Sequence, residues 1–203
     1  MKIAKLTIAL LLSLGSTLSQ AAVFTENFNG FTADQLNWDP AGANGWVVGP
    51  TSKDTVDIIG QGGSFDFLPG NGSYVDLDGS TGSSGVLRNF VDLIAGTPYS
   101  LSFWLAGNQR GDVDDWVNVH FGGVNQTFQL KSSDPFTQFS LLFTPSADGN
   151  YSFGFLTTTS NDNVGALLDN VSVTAVPEPE TYALMLAGLG LIGFSARRRK
   201  TQA

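Results

Sequence analysis

Cysteine is absent from all 203 residues. No disulfide and no thiol nucleophile is available, so stability must come from core packing, with a bound metal ion as the one further means. Histidine occurs once, as His120. A nucleophilic triad needs a base that titrates near neutrality, and with no Cys and no G-x-S-x-G turn no partner for His120 is evident. Glutamate is scarce as well: Glu26 is the only one before residue 178. Glycoside hydrolysis needs two carboxylates about 5–9.5 Å apart, and the plentiful aspartates stand in turn-like contexts. No catalytic constellation is supported, so the chain reads as a non-enzyme, with a polysaccharide-degrading enzyme the unsupported alternative. Positive charge is nearly missing from residues 22–175, where Lys53, Arg88, Arg110 and Lys131 face sixteen acids, a net charge of −12. That balance excludes nucleic acid, whose phosphates need neutralising. It suits solubility, divalent cations or neutral partners. A sustained helical period is also missing from this region.

Long apolar runs occur only at the two ends. Met1 to Ala21 has a positive start at Lys2 and Lys5, an apolar stretch from Leu6 to Leu14, and small residues at Ser19 and Ala21. This is the three-part pattern of a secretory signal peptide, residues 1–21, cleaved after Ala21 and read by the Sec translocon. At the other end, residues 176–200 run in fixed order. Pro177-Glu178-Pro179 comes first, an uncharged stretch follows, and Arg197, Arg198, Arg199 and Lys200 close it. The prolines hold Val176 to Pro179 extended, so a processing enzyme can read it with little entropy left to remove. Residues 181–196 would form roughly 24 Å of transmembrane helix at 1.5 Å per residue, slightly short of the ~30 Å hydrocarbon core. Snorkelling arginines and local thinning close that gap, and the basic tail 197–200 stays on the cytoplasmic side. An amphipathic helix packed on the body would need a polar face, which this run lacks. A permanent tail anchor is the fairer rival.

The order and spacing of this tail resemble the PEP-CTERM sorting signal of Gram-negative bacteria. The resemblance covers about 25 residues. It implies recognition by an exosortase, a membrane-embedded cysteine protease or transpeptidase, at or near Pro177-Glu178-Pro179, with the helix and basic tail then removed. It further implies an exported protein, transiently in the inner membrane, whose body ends in the outer envelope or the extracellular polymer matrix.

Between the ends, residues 22–175 suit one domain. Period-two alternation recurs. Tyr99, Leu101, Phe103 and Leu105 alternate with Ser100, Ser102 and Trp104; Val117, Val119 and Phe121 alternate with Trp116, Asn118 and His120. Gly122-Gly123 predicts a hairpin turn into 127–130. Further strands are expected at 139–143, 151–155 and 166–174, and upstream at 23–28, 46–48, 56–59, 74–77 and 86–91. Residues 31–44 read as a long loop. The expectation is an all-β, antiparallel jelly-roll β-sandwich. Glu26-Asn27-Phe28, Tyr74-Val75-Asp76-Leu77-Asp78-Gly79, Tyr99 to Trp104, and Leu168 to Val173 resemble the galactose-binding-like sandwich of many carbohydrate-binding modules.

That resemblance implies a structural Ca²⁺ where first and last strands meet, with Glu26 and Asp169 matching its acidic ligands. Asp169 shares strand parity with Leu167, Val171 and Val173, so it is expected to point coreward and to need a cation or hydrogen bonds. Asp112, Asp114 and Asp115 read as a solvated loop. Arg110-Gly111-Asp112 reads as a chance tripeptide. Sugars are gripped by aromatic faces, amides and carboxylates. Trp104, Trp116, Asn118 and His120 stand on the polar side of their strands, and neighbouring strands would join them in one face with Gln129, rimmed by Asn108 and Arg110. The alternative is that covering loops make these tryptophans core. Trp38 and Trp46 read as loop anchors. The expected role is to bind or organise exopolysaccharide; a structural or adhesion protein with no sugar site is the rival.

Overall fold

The computed structural model describes residues 22–40, 42–51, 53–111, 113–158, 162–177 and 186–192. Twelve strands follow one another: β1 (Ala22–Glu26), β2 (Gln35–Trp38), β3 (Val47–Gly49), β4 (Val56–Ile59), β5 (Tyr74–Asp76), β6 (Val86–Leu93), β7 (Tyr99–Ala106), β8 (Asp115–Phe121), β9 (Val124–Leu130), β10 (Thr137–Phe143), β11 (Gly149–Thr157) and β12 (Leu167–Ala175). They form two antiparallel sheets, a seven-stranded one ordered β10-β7-β12-β5-β4-β2 with β1 on β12, and a five-stranded one ordered β3-β6-β11-β8-β9. The chain is an all-β jelly-roll sandwich, as its alternation predicted.

Alternation decides which side chains meet between the sheets. Leu101, Phe103 and Leu105 of β7, Val117, Val119 and Phe121 of β8, and Phe153 and Phe155 of β11 are fully buried. Trp46 is no mere loop anchor. It sits wholly inside, edge-on to Phe24 and Phe153 at centroid distances of 5.6 Å. Without cysteine, these aromatic contacts supply the cross-sheet cohesion a disulfide would otherwise add. A smaller cluster of Ile59, Tyr74, Ala106 and Leu167 lies on the outer side of the seven-stranded sheet, covered by Leu68 and Phe136. The β8–β9 hairpin turns at Gly122-Gly123, with Phe121 opposite Val124. Gly122 has φ of 56°, and a Cβ there would strike the Phe143 ring, so the turn requires glycine.

Two expectations need correction. Residues 31–44 are not one long loop, because β2 pairs with β4 within them. Its sequence Gln-Leu-Asn-Trp shows no alternation: only Trp38 is buried, and Asn37 takes a left-handed φ of 56°. The parity drawn through Asp169 also fails. The register of β12 shifts between Asp169 and Ser172, and Asn170 has φ of 49°. Asp169 therefore pairs with Trp104, whereas Val171 and Val173 join the main core.

Of the C-terminal segment, residues 186–192 are helical, with Leu186, Leu189, Leu191 and Ile192 exposed. Among the described residues no helix is long and apolar enough to cross a membrane. The signal peptide 1–21, Glu178, Pro179, most of the helix expected at 181–196, and Arg197 to Lys200 lie outside the described residues.

Candidate functional site

The outer face of the five-stranded sheet carries Trp116, Asn118 and His120 on β8, flanked by Gln129, Thr127 and Asn125 of β9 in direct register. Trp116 is 42% exposed. Asn118 Nδ2 donates to Thr127 Oγ1 at 3.3 Å, and Gln129 Nε2 donates to Asp114 Oδ2 at 3.1 Å. On the other flank, Gly154 of β11 stands opposite His120. A Cβ at Gly154 would lie 2.7 Å from His120 Cε1 and 2.8 Å from the Leu87 carbonyl. The glycine thus leaves a depression in which the imidazole lies, with His120 Nε2 3.2 Å from Ser152 Oγ. Burial, and then the charge of Arg88, holds the His120 pKa below its ordinary value. The ring is therefore neutral at neutral pH and able both to donate and to accept.

Trp104 does not join this face. It lies on β7, in the other sheet, half-buried opposite Gln138. The connection from β7 to β8 crosses between the sheets, so the single platform expected from neighbouring strands is split in two. Trp104 instead lines a groove of about 500 Å³ with Glu26, Asn27, Gln138, Asn170 and Ser172. Neither Asn108 nor Arg110 forms a rim to Trp116. Asn108 is buried and donates to Asp115 Oδ2 through its backbone N–H and its Nδ2, at 3.0 and 2.9 Å. Asp115 is accordingly not part of a solvated loop. It is 1% exposed, and burial pushes its carboxyl up to about 6 against the pull of these bonds. Asp114 is hydrogen-bonded to Gln129, and Asp112 lies outside the described residues.

Glu26 and Asp169 do come together. β12 pairs with β5 through Leu167 and Leu168 and with β1 from Val171 onward. Asp169 and Asn170 fall in the fork where the partner changes. Glu26 Oε1 accepts from the N–H groups of Asn27 and Phe28 at 3.0 and 2.9 Å, and its Oε2 accepts from Asn44 Nδ2 at 2.9 Å. Asp169 is 2% exposed and, among the described residues, accepts from Asn170 alone, at 2.6 Å from its N–H and 2.9 Å from its Nδ2. Burial pushes the Asp169 carboxyl up to about 7, the Asn170 N–H opposes this, and the charge of Glu26 adds to it. Asp169 and Glu26 thus bring carboxylate oxygens to one fork, the donor type that a hard cation such as Ca²⁺ takes. Among the described residues no three acidic or histidine side chains converge to hold a metal by themselves. Backbone carbonyls of the fork would have to complete the shell.

One cluster escaped sequence reasoning. Asp57 and Asp76 oppose each other across β4 and β5, and Arg110 reaches Asp76 Oδ2 with its Nη2 at 2.6 Å. Burial pushes the Asp76 carboxyl up to about 7 despite Arg110. The available signal was the alternation in Tyr74-Val75-Asp76-Leu77-Asp78, which places both aspartates opposite core residues.

No curated protein matches the chain in sequence. Among solved structures it resembles the CBM22-1 xylan-binding domain of Paenibacillus barcinonensis Xyn10C, with 10% identity, TM-score 0.46, and coverage of 78% of this chain and 97% of that one. The CBM22-1–GH10 modules of Clostridium thermocellum xylanase 10B give 14% identity, TM-score 0.49, and coverage of 78% and 29%. An arabinose-bound MgGH51 α-L-arabinofuranosidase gives 14%, 0.48, and coverage of 77% and 27%. The chain thus spans under a third of the latter two proteins. At these values the likeness lies in the course of the strands, and nothing about ligands follows from it. The tail is a different matter: residues 175–200 match the PEP-CTERM protein-sorting motif. That segment is a PEP-CTERM sorting signal, which implies an exported, membrane-transiting substrate of exosortase.

Proposed function

We propose that the exported body is a non-catalytic glycan-binding module that holds or organises exopolysaccharide at the surface of a Gram-negative cell. The observation that carries this reading is the open strip Trp116-Asn118-His120, with Gln129 and Thr127 beside it. Residues two apart on a strand put an indole, an amide and a neutral imidazole in line over about 14 Å. An indole packs on the C–H face of a sugar ring, and the amides and imidazole exchange hydrogen bonds with its hydroxyls. The length suits an extended chain more than a single sugar. The Trp104 groove offers a second surface of the same chemistry on the opposite sheet.

Supporting parts follow from the same residues. Exosortase would act at or near Pro177-Glu178-Pro179 after Sec export, freeing the body from the helix at 181–196 and the tail Arg197 to Lys200. Glu26 and Asp169 would hold a structural Ca²⁺, whose charge would meet the buried carboxylate and lock β1 onto β12.

The test is a glycan array, followed by affinity measurements on the full chain with Trp116→Ala and Trp104→Ala. Loss of binding in Trp116→Ala, with an unchanged melting temperature, is expected. Full binding in both variants would sink the proposal. Absence of binding to any glycan would favour a purely structural or adhesive protein.

A further inference from the structure

A partly enclosed pocket of about 190 Å³ lies at one end of the outer side of the seven-stranded sheet, with neither Trp116 nor Trp104 in its lining. Its floor is Asp57 and Asp76, facing each other across β4 and β5 and 5% and 2% exposed. Asp57 Oδ1 accepts from the N–H groups of Asn37 and Ser80 at 2.6 and 3.1 Å, and its Oδ2 accepts from Ser80 Oγ at 2.5 Å. Asp76 Oδ1 accepts from the N–H groups of Asp78 and Gly165, both at 3.0 Å, and its Oδ2 from Arg110 Nη2. A carboxylate can accept about four hydrogen bonds, and among the described residues each receives three, which leaves one acceptor position.

Arg110 forms one wall. Its Nη1 donates to the Asn163 carbonyl at 2.7 Å, and its Cζ lies 5.0 Å from the centroid of the Phe67 ring. Its Nε is buried and without a hydrogen-bond partner among the described residues. A buried donor left in that condition is costly unless something enters to accept from it. The other wall is apolar: Ile59, with Leu36 and Phe65 exposed at 45% and 39% where the pocket meets solvent.

We propose that this pocket takes one uncharged sugar unit, such as the end of a glycan chain. Phe65 and Leu36 pack on its C–H face, Asp57 and Asp76 accept from its hydroxyls, and a hydroxyl oxygen accepts from Arg110. The volume excludes an extended chain. A uronate would bring a third carboxylate against Asp57 and Asp76, and an ammonium would meet the Arg110 guanidinium. The site does not rest on the Trp116 strip, from which it differs in sheet, charge and size.

The test is backbone-amide NMR on the full chain in a detergent without a sugar headgroup. The probes are the methyl pyranosides of glucose, galactose, mannose and xylose, with methyl glucuronide. Millimolar titration with at least one neutral glycoside should shift residues 57–59, 65–67, 80 and 163, and the glucuronide should shift none of them. Phe65→Ala, at an exposed site where folding is safe, should weaken that binding about threefold to tenfold. No shift with any neutral glycoside would overturn the site. So would undiminished binding in Phe65→Ala, or equal binding of the glucuronide. Binding that vanishes in Trp116→Ala and persists in Phe65→Ala would assign the sugar to the sheet face and refute the pocket.

Discussion

Asp169 gives the sharpest test of the strand fork, because the sign of its effect should reverse with calcium. In the fold its carboxyl is pushed from 3.8 to about 7, first by burial and then by Glu26, with only the Asn170 N–H opposing. A folded-state pKa raised above the unfolded one gives stability that is fully present below about pH 4 and is lost as pH rises toward 7. After discounting for solvent screening, the ionised group costs about 2 kcal/mol above that range. Asp169→Asn removes the charge and keeps the shape. It also gives up the bond to Asn170 Nδ2, worth about 1 kcal/mol. The net gain without calcium is therefore about 1 kcal/mol, or about 2–4 °C in melting temperature for a domain of this size. Calcium inverts the order. At a hundredfold excess over Kd it should stabilise the wild-type chain by about 2.7 kcal/mol, and the variant should not respond. Thermal unfolding followed by circular dichroism at about pH 7.5, in EDTA and in calcium, reads both signs. The reasoning is refuted if the variant melts lower in EDTA, or if calcium raises both proteins equally.

Two further outcomes follow. Arg110→Ala leaves Asp76 buried without its counter-charge and should cost up to about 3–5 kcal/mol at alkaline pH, where Asp76 is ionised, read as a lowered urea midpoint. Because Asp76 is already raised to about 7, the loss should shrink as acidification protonates it; a pH-independent loss would contradict the ion-pair account. Gly154→Ala drives a methyl group against His120 Cε1 and the Leu87 carbonyl. It should cost about 1–3 kcal/mol by overpacking and should weaken glycan binding further than the stability loss explains. Unchanged affinity would remove His120 from the proposed surface.

Alternation made most of the sandwich legible. Tyr99 to Leu105 and Val117 to Phe121 each put every second residue in the core. The same periodicity says on which side of a strand a residue stands, and nothing about which sheet the strand joins. Trp104 and Trp116 therefore looked like neighbours until the β7–β8 crossing separated them. β2 was hidden because four residues with one buried side chain carry no period. Asp115 looked solvated because its partner, Asn108, is supplied by the return of the chain. Arg110 and Asp76 are 34 residues apart, and only the fold brings them together. The tail was legible without any fold, since its Pro-Glu-Pro tripeptide, apolar run and basic end act through order along the chain.

The most direct measurement is the intact mass and location of the protein in its native host, with and without exosortase. The account predicts a chain shortened within the region of Pro177-Glu178-Pro179 that co-isolates with surface polysaccharide only when exosortase is present. A full-length chain retained in the inner membrane in both strains would contradict it.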